Sequence, residues 1–187
     1  MMNTTEYADL IAEELKTALN KISPESGEAL TNQIIKSKKI LVAGAGRSGF
    51  AAKAFAMRLM HMGFDAYVVG ETVTPSLESD DLLIISSGSG ETGSLLTMSE
   101  KAKKIGAVLA TVTIRPEGSV GRAADIIIKI PAPTPKAESA GDFKSIQPMG
   151  SLFEQSMLLF FDAVILRIME KKGFDSDTMF TRHANLE

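Results

Sequence analysis

Apolar positions along the chain alternate between the spacing of amphipathic helices and the short runs of buried strands. Helical spacing predicts a first helix over residues 4–20, and the Ser23-Pro24 pair predicts a second helix that continues to about Lys36. Further along, apolar runs alternate with helical segments. The predicted strands are 40–43, 66–69, 82–85, 107–113 and 126–128, and the later predicted helices are about 50–62, 92–104 and 151–172.

Strands that are apolar on both faces and alternate with helices are typical of a parallel sheet covered on both sides. The chain is therefore predicted to be an α/β protein, a three-layer α/β/α sandwich preceded by two helices. We expect one domain over residues 1–187, with the helices in 1–37, the sheet core in 38–130 and a C-terminal helix and tail in 151–187. The connecting segment 131–150 is rich in proline and has no periodicity, which is typical of a functional or crossing loop.

Composition narrows the classes of function. The 187 residues carry 20 Lys and Arg against 23 Asp and Glu, a net charge of −3, so a nucleic-acid partner is not expected. The absence of cysteine excludes disulfides and cysteine-ligated zinc, and two histidines are too few for a histidine-rich metal site. The N-terminus lacks the features of a signal peptide, and charges interrupt the apolar segment 151–169. We therefore expect a cytoplasmic protein with no membrane partner and no bound metal.

A glycine-rich turn follows the first predicted strand. Gly44, Gly46 and Gly49 match the G-x-G-x-x-G pattern of dinucleotide sites, and Glu71 lies near the end of the next strand, where a ribose-binding carboxylate would sit. The same glycines also suit a tight strand-to-helix turn that binds nothing. These residues alone leave both interpretations open.

A second loop of small and hydroxyl-bearing residues, 87–92, follows the third predicted strand. Such residues let the backbone approach an anion, and the following helix N-terminus supplies free N–H groups. Two such loops at the carboxyl ends of strands favour a small phosphorylated ligand over a dinucleotide, although the hydroxyls could merely cap a helix. The predicted substrate contacts are Arg47, Ser48, Ser87, Gly88, Ser89, Gly90, Glu91 and Thr92.

The two initial helices, the loops 44–49 and 87–92 and the long C-terminal helix resemble the sugar isomerase (SIS) domain family. Within that family, segments 55–63, 147–155 and 183–187 are similar to the 6-phospho-3-hexuloisomerases, and the resemblance covers essentially the whole chain. It implies a flavodoxin-like, five-stranded parallel sheet. It also implies interconversion of D-arabino-3-hexulose 6-phosphate and fructose 6-phosphate in the ribulose monophosphate pathway of formaldehyde fixation. Further implications are no cofactor, a homotetramer with active sites at subunit contacts, and functional coupling to 3-hexulose-6-phosphate synthase.

Moving a carbonyl between adjacent carbons through a cis-enediol needs one base, and a single carboxylate suffices. Glu154 is the predicted base; the spacing Ser151 to Glu154 equally matches a helix-capping box, and the family resemblance favours catalysis. His61 and His183 are predicted acid/base helpers. The alternatives are a packed residue near a helix end for His61 and a solvated tail residue for His183.

Three other functions remain compatible with this sequence. Another SIS isomerase could act between a pentulose phosphate and an aldopentose phosphate. A non-catalytic phosphosugar sensor is a second alternative, but such sensors usually carry a helix-turn-helix domain, for which two initial helices are too few. A dinucleotide-dependent enzyme is the most distant alternative.

Overall fold

The computed structural model describes residues 1–133 and 144–186. Within these residues the chain forms helices on both sides of one sheet. The helices are α1 Thr4–Leu19, α2 Pro24–Lys36, α3 Gly46–His61, α4 Gly93–Ile105, α5 Ser119–Ala123, α6 Ser151–Lys172 and α7 Ser176–Phe180. The strands are β1 Lys39–Gly44, β2 Asp65–Val68, β3 Leu82–Ser86, β4 Val108–Thr113 and β5 Ile126–Lys129.

The first two helices begin where the sequence provides caps. The side chain of Asn3 accepts the N–H of Glu6, and the Glu6 carboxylate in turn accepts the N–H of Asn3, which closes a capping box. The Ser23 hydroxyl accepts the N–H of Ser26, and Pro24 occupies the first position of α2. Local side chains thus fix both helix starts.

The five strands form one parallel sheet in the order β2-β1-β3-β4-β5. Strand β3 is buried over its whole length, with Leu83 opposite Leu41 on one side and Leu109 on the other. The strand order reverses between β1 and β3. At such a switch point the loops that follow the two strands separate and leave a crevice at the carboxyl ends.

Alternate residues of each strand point to two different apolar layers, as expected for a parallel sheet with both faces covered. Ile40, Ile84 and Val112 belong to the larger layer, which includes buried residues of α2, α3 and α6. Leu41, Leu83 and Leu109 belong to the other layer, with residues of α4 and α5. This arrangement confirms the predicted three-layer fold.

Helix α6 joins the helices on the larger layer. It packs against α1, α2 and α3, and the Phe161 ring stacks on the Phe55 ring of α3 with their centroids 4.1 Å apart. Its 22 residues include the buried Phe153 and Ile168. Across residues 1–133 and 144–186, no helix combines the length and apolarity needed to cross a membrane.

The structure differs from the sequence prediction in two places. Helix α3 begins at Gly46, not near residue 50, because Ala45 alone separates it from β1. The five-residue helices α5 and α7 are not predicted, since a single turn is too short to show a period. Part of the predicted loop 131–150 lies outside the described residues, and 144–150 is irregular.

Candidate active site

The glycines of the first loop allow β1 and α3 to approach each other closely. A Cβ atom on Gly49 would lie 2.7 Å from the carbonyl oxygen of Gly44, and one on Gly44 would lie 3.0 Å from the nitrogen of Gly49. This packing accounts for both glycines as parts of a tight turn. Glu71, the other element of the dinucleotide hypothesis, has its carboxylate 3.5 Å from the Lys53 amine. The turn places Arg47 and Ser48 in the first turn of α3.

Hydrogen bonds fix the second loop on the adjacent strand end. The Ser87 hydroxyl accepts the Gly90 N–H at 3.2 Å, and the Ser89 hydroxyl accepts the Glu91 N–H at 3.2 Å. The Gly88 carbonyl accepts two donors of the β4 end, the Thr113 hydroxyl among them. Ser87 and Gly90 therefore shape the loop and do not line the cavity beside it.

Glu91, a predicted substrate contact, faces the start of α5. Its carboxylate accepts the N–H of Ser119 at 2.8 Å. The backbone and side chain of Ser119 hold the pKa of Glu91 below its ordinary value, with Arg122 and Arg115 acting in the same direction. In this structure Glu91 caps a helix, which removes a negative charge from the region where a phosphate would bind.

A cavity of about 580 Å³ lies where the first turns of α3, α4 and α6 meet, and its size suits a small-molecule ligand. It brings together six of the predicted site residues. Its lining comprises Ala45, Gly46, Arg47, Ser48, Gly88, Ser89, Thr92, Pro148, Met149, Gly150, Ser151, Phe153 and Glu154. No sequence pattern marks Pro148, Met149, Gly150 and Ser151 as individual contacts, although the first three belong to the segment 131–150 that is predicted to be a functional or crossing loop.

The three helices around this cavity, like the short helix α5, start without a side-chain cap. Their N-cap residues Ala45, Thr92 and Gly150 make no side-chain capping bond in the described part of the chain. By contrast, α1, α2 and α7 are capped by their own N-cap side chains. Uncapped first-turn N–H groups and the positive end of the helix dipole favour an anion. Three such ends meeting at one cavity form a site suited to phosphate.

Glu154 faces this cavity and forms an ion pair across it. Its carboxylate Oε2 lies 2.7 Å from Nε of Arg47; the Glu154 side chain is 19% exposed and that of Arg47 is 61% exposed. The alternative prediction of a Ser151–Glu154 capping box is wrong here. Gly150 occupies the N-cap position, so Ser151 is already inside the helix. Glu154 is thus a half-buried carboxylate at the start of a helix, and its partner is the exposed guanidinium of Arg47.

The two histidines lie at the other end of α3. Arg47 and His61 are separated along the helix by a rise of about 21 Å. The His61 ring stacks on the His183 ring with centroids 5.4 Å apart, and His183 also stacks on Phe180. These rings line a second cavity of about 420 Å³, together with Arg58 and Asp162. Within one chain the structure does not bring either histidine to Glu154.

His61 is buried in the neutral form. Burial lowers the pKa of His61, and the positive charges of Arg58 and His183 lower it further. Nη1 of Arg58 lies 3.4 Å from Nδ1 of His61. Because a guanidinium can only donate, this geometry makes Nδ1 the acceptor and leaves Nε2 as the protonated nitrogen. A neutral imidazole of this kind can both donate and accept a proton.

A groove between α3 and α6 adjoins the large cavity and shares Arg47 and Glu154 with it. It has a volume of about 390 Å³ and runs from Arg47 and Glu154 along Phe50, Ala54 and Leu158. Phe50 is 70% exposed, and Leu166 further along α6 is also exposed. Exposed large apolar side chains beside a groove are typical of a protein interface.

One acidic cluster could in principle surround a cation, among the residues that the structure describes. Its members Glu78, Asp80 and Asp81 precede β3, at the end of the sheet opposite the large cavity. The amines of Lys38 and Lys39 lie 3.3–3.9 Å from these carboxylates, and Asp81 also accepts two backbone N–H groups. The cluster is therefore explained as charge pairing that ties β1 to the start of β3.

Comparison with known proteins identifies the family of this chain. The family described as SIS domain matches residues 33–159, which include both loops and Glu154. The chain belongs to the SIS domain family. Its relatives include the 3-hexulose-6-phosphate isomerase of Bacillus subtilis, 58% identical over 186 residues that cover 100% of both chains. That of Mycobacterium gastri is 38% identical over 98% of this chain and 91% of its own.

A solved SIS structure extends the comparison to three dimensions. A Methanococcus jannaschii protein, whose crystal structure is described as inferring a molecular function of 3-hexulose-6-phosphate isomerase, superposes with a TM-score of 0.85. It is 40% identical, and the match covers 97% of this chain and 99% of that protein. The fold of the SIS family, with its switch-point crevice, is therefore present here over essentially the full length.

Proposed function

We propose that this SIS protein is an isomerase that interconverts D-arabino-3-hexulose 6-phosphate and fructose 6-phosphate through a cis-enediol. The observation that carries the proposal is the position of Glu154, a half-buried carboxylate in a cavity formed by three uncapped helix N-termini. The family membership and the near-full-length relatives named 3-hexulose-6-phosphate isomerase support the choice of substrate.

The phosphate binds at the N-termini of α3 and α4. Ser48, Ser89 and Thr92 lie there and add hydroxyl donors, while Gly88 lets the backbone approach. Hydrogen bonds to a dianion are stronger than those to neutral groups. The phosphate is remote from the reacting carbons, so its binding fixes the sugar chain relative to Glu154 and lowers the entropic part of the barrier.

Glu154 is the base of the reaction. It removes the proton from C3 of fructose 6-phosphate, which gives the 2,3-enediol, and the resulting carboxylic acid delivers a proton to C2 to give the 3-hexulose. Negative charge develops on the carbonyl oxygen during this transfer. We assign the stabilisation of that charge to the Arg47 guanidinium, 2.7 Å from the carboxylate, and to the positive end of the α6 dipole.

The enediol also needs a proton to move between two oxygen atoms, and the neutral His61 suits this step. Since His61 and His183 lie far from Glu154 in their own chain, we assign them to the active site of another subunit in a homotetramer. The exposed apolar groove between α3 and α6 provides a surface for that contact. A cytoplasmic location, a place in the ribulose monophosphate pathway, independence of cofactors and coupling to 3-hexulose-6-phosphate synthase belong to the same proposal.

Proton NMR of fructose 6-phosphate in D₂O tests the reaction directly. The expected result is loss of the C3 proton signal together with a new 3-ketose species, and neither change with Glu154→Gln. Exchange at C1 would instead assign the protein to the aldose–ketose isomerases. Line broadening without exchange would indicate a protein that binds the phosphosugar without converting it.

A further inference from the structure

Glu14 of α1 makes a concentrated set of contacts outside the cavity. Its carboxylate accepts the Ser145 hydroxyl at 2.6 Å, the Ile146 N–H at 2.8 Å and the Gln147 side-chain amide at 3.0 Å. The donors lie more than 130 residues along the chain from Glu14. One side chain therefore holds three consecutive residues of the segment that precedes α6.

The segment held by Glu14 continues directly into the cavity wall. Pro148, Met149 and Gly150 line the cavity, and Glu154 follows in the first turn of α6. Ser151 donates its N–H to the Pro148 carbonyl at 3.1 Å, which links the segment to the helix start. A displacement at residues 145–147 would therefore be passed to the wall and to the base.

Apolar burial does little to hold this segment in place. Ile146 is 54% exposed and Met149 is 74% exposed. Met149 also has a φ of 57°, a left-handed conformation that is strained for a residue with a side chain. Among the hydrogen bonds of the described residues, every bond that ties residues 144–149 to an element other than the adjoining α6 ends on Glu14.

The carboxylate of Glu14 is suited to this task. Partial burial raises its pKa, but the hydrogen bonds from Ser145, Gln147 and Ile146 outweigh burial and keep the pKa below its ordinary value. The group is therefore ionised at neutral pH and accepts charge-assisted hydrogen bonds, which are about twice as strong as neutral ones.

We propose that Glu14 is a positioning residue for the isomerisation: it clamps residues 145–147 to α1 and thereby sets the cavity wall and Glu154 against the substrate. The part of this inference that concerns catalysis rests on the proposed function. Glu14 touches no substrate in this scheme, because it lies outside the cavity lining. It acts only through the segment that it holds.

The test compares Glu14→Ala, Glu14→Gln and a matched control, Glu13→Ala, which removes an exposed carboxylate from the same helix. We expect Glu14→Ala to lower kcat about 10- to 100-fold, the effect of a small misplacement of reacting groups, with KM changed less than threefold. Glu14→Gln keeps one acceptor oxygen, so its kcat should lie between those of the wild type and Glu14→Ala. Hydrogen–deuterium exchange at the Ile146 amide should accelerate in Glu14→Ala and stay at the wild-type rate in Glu13→Ala.

Two results would overturn the proposal. One is a Glu14→Ala protein whose kcat and whose exchange over residues 144–150 match those of Glu13→Ala. The other is faster exchange throughout the chain, which would mark Glu14 as a general stability residue. A wild-type protein that leaves fructose 6-phosphate unchanged would overturn the proposed function and the catalytic half of this inference, while exchange at Ile146 would still decide the clamp.

Discussion

The two ends of helix α3 carry different groups of candidate catalytic residues. At its N-terminal end, a tight glycine turn opens a cavity with phosphate donors, a guanidinium and a half-buried carboxylate. At its C-terminal end, a buried imidazole stacks on a second imidazole, about 21 Å away. A single chain thus separates the proposed base from the proposed proton shuttles, and only contact between chains would bring them together.

The largest expected effect comes from the base at the first end. Glu154→Gln should reduce kcat by about 10²–10⁴-fold, since the amide cannot take the C3 proton, while fructose 6-phosphate still binds. Single-turnover kinetics and calorimetric titration measure the two quantities. Glu170→Gln, an exposed change on the same helix, serves as the control and should retain wild-type kcat. Normal turnover by Glu154→Gln would remove this carboxylate from the reaction.

The separation of the two ends gives a second, somewhat smaller effect. His61→Asn should lower kcat by about 10²-fold if a neighbouring subunit's site uses the imidazole. Mixed oligomers of His61→Asn and Glu154→Gln chains should then regain activity, because some sites combine an intact Glu154 with an intact His61. Refolding the two inactive proteins together and assaying the mixture measures this. A mixture no more active than its components would show that the two ends do not share a site.

Ser89 and Glu91 belong to the same loop but have different expected roles. Ser89 lines the cavity, so Ser89→Ala should raise KM about tenfold, the loss of one hydrogen bond to a charged group, with little change in Tm. Glu91 caps α5, so Glu91→Ala should lower Tm by a few degrees and leave KM nearly unchanged. Steady-state kinetics and thermal melts on both variants check this, and a reversed pattern would refute the assignment.

The smallest effect concerns the buried imidazole at the second end. Because the pKa of His61 is lowered in the folded chain, the unfolded chain binds more protons as the pH falls below about 6.5. The contribution of His61 to the free energy of unfolding is therefore complete above that pH and is lost as the pH falls toward the folded-state pKa. Denaturant melts between pH 5 and 8 should show this slope in the wild type and a weaker slope in His61→Gln. Equal slopes would contradict burial of the neutral form.

Sequence patterns sufficed for the sheet and for the two loops. Buried runs such as Leu82–Ser86 are apolar along their whole length, and glycine and serine cluster where parallel strands end. The patterns also brought out Ser48, Ser89 and Glu154, which the fold gathers at one cavity. They identified several residues of the candidate site but did not show which of them line the cavity.

The remaining contacts of the site join residues that are distant in the sequence, so no local pattern predicts them. The pair Arg47–Glu154 and the contact of Glu14 with Ser145 join residues more than 100 positions apart. The capping-box prediction failed because spacing shows which residues can cap, while Gly150, next to the left-handed Met149, takes the cap position. Glu91 looked like a ligand contact, since the short helix that it caps leaves no period in the sequence.

The late position of α6 in the chain has a consequence for biosynthesis. A ribosome completes the five strands of the described residues and both glycine-rich loops by residue 129, yet Phe55 and its neighbours on α3 stay uncovered until Phe161 has been made. A nascent chain at that stage exposes an apolar surface of the kind that chaperones bind and that leads proteases to degrade a chain. The base arrives with the same final segment. A chain that is released before α6 is complete therefore keeps this apolar surface exposed. We expect it to be degraded and not to accumulate as an inactive protein that binds sugar phosphates.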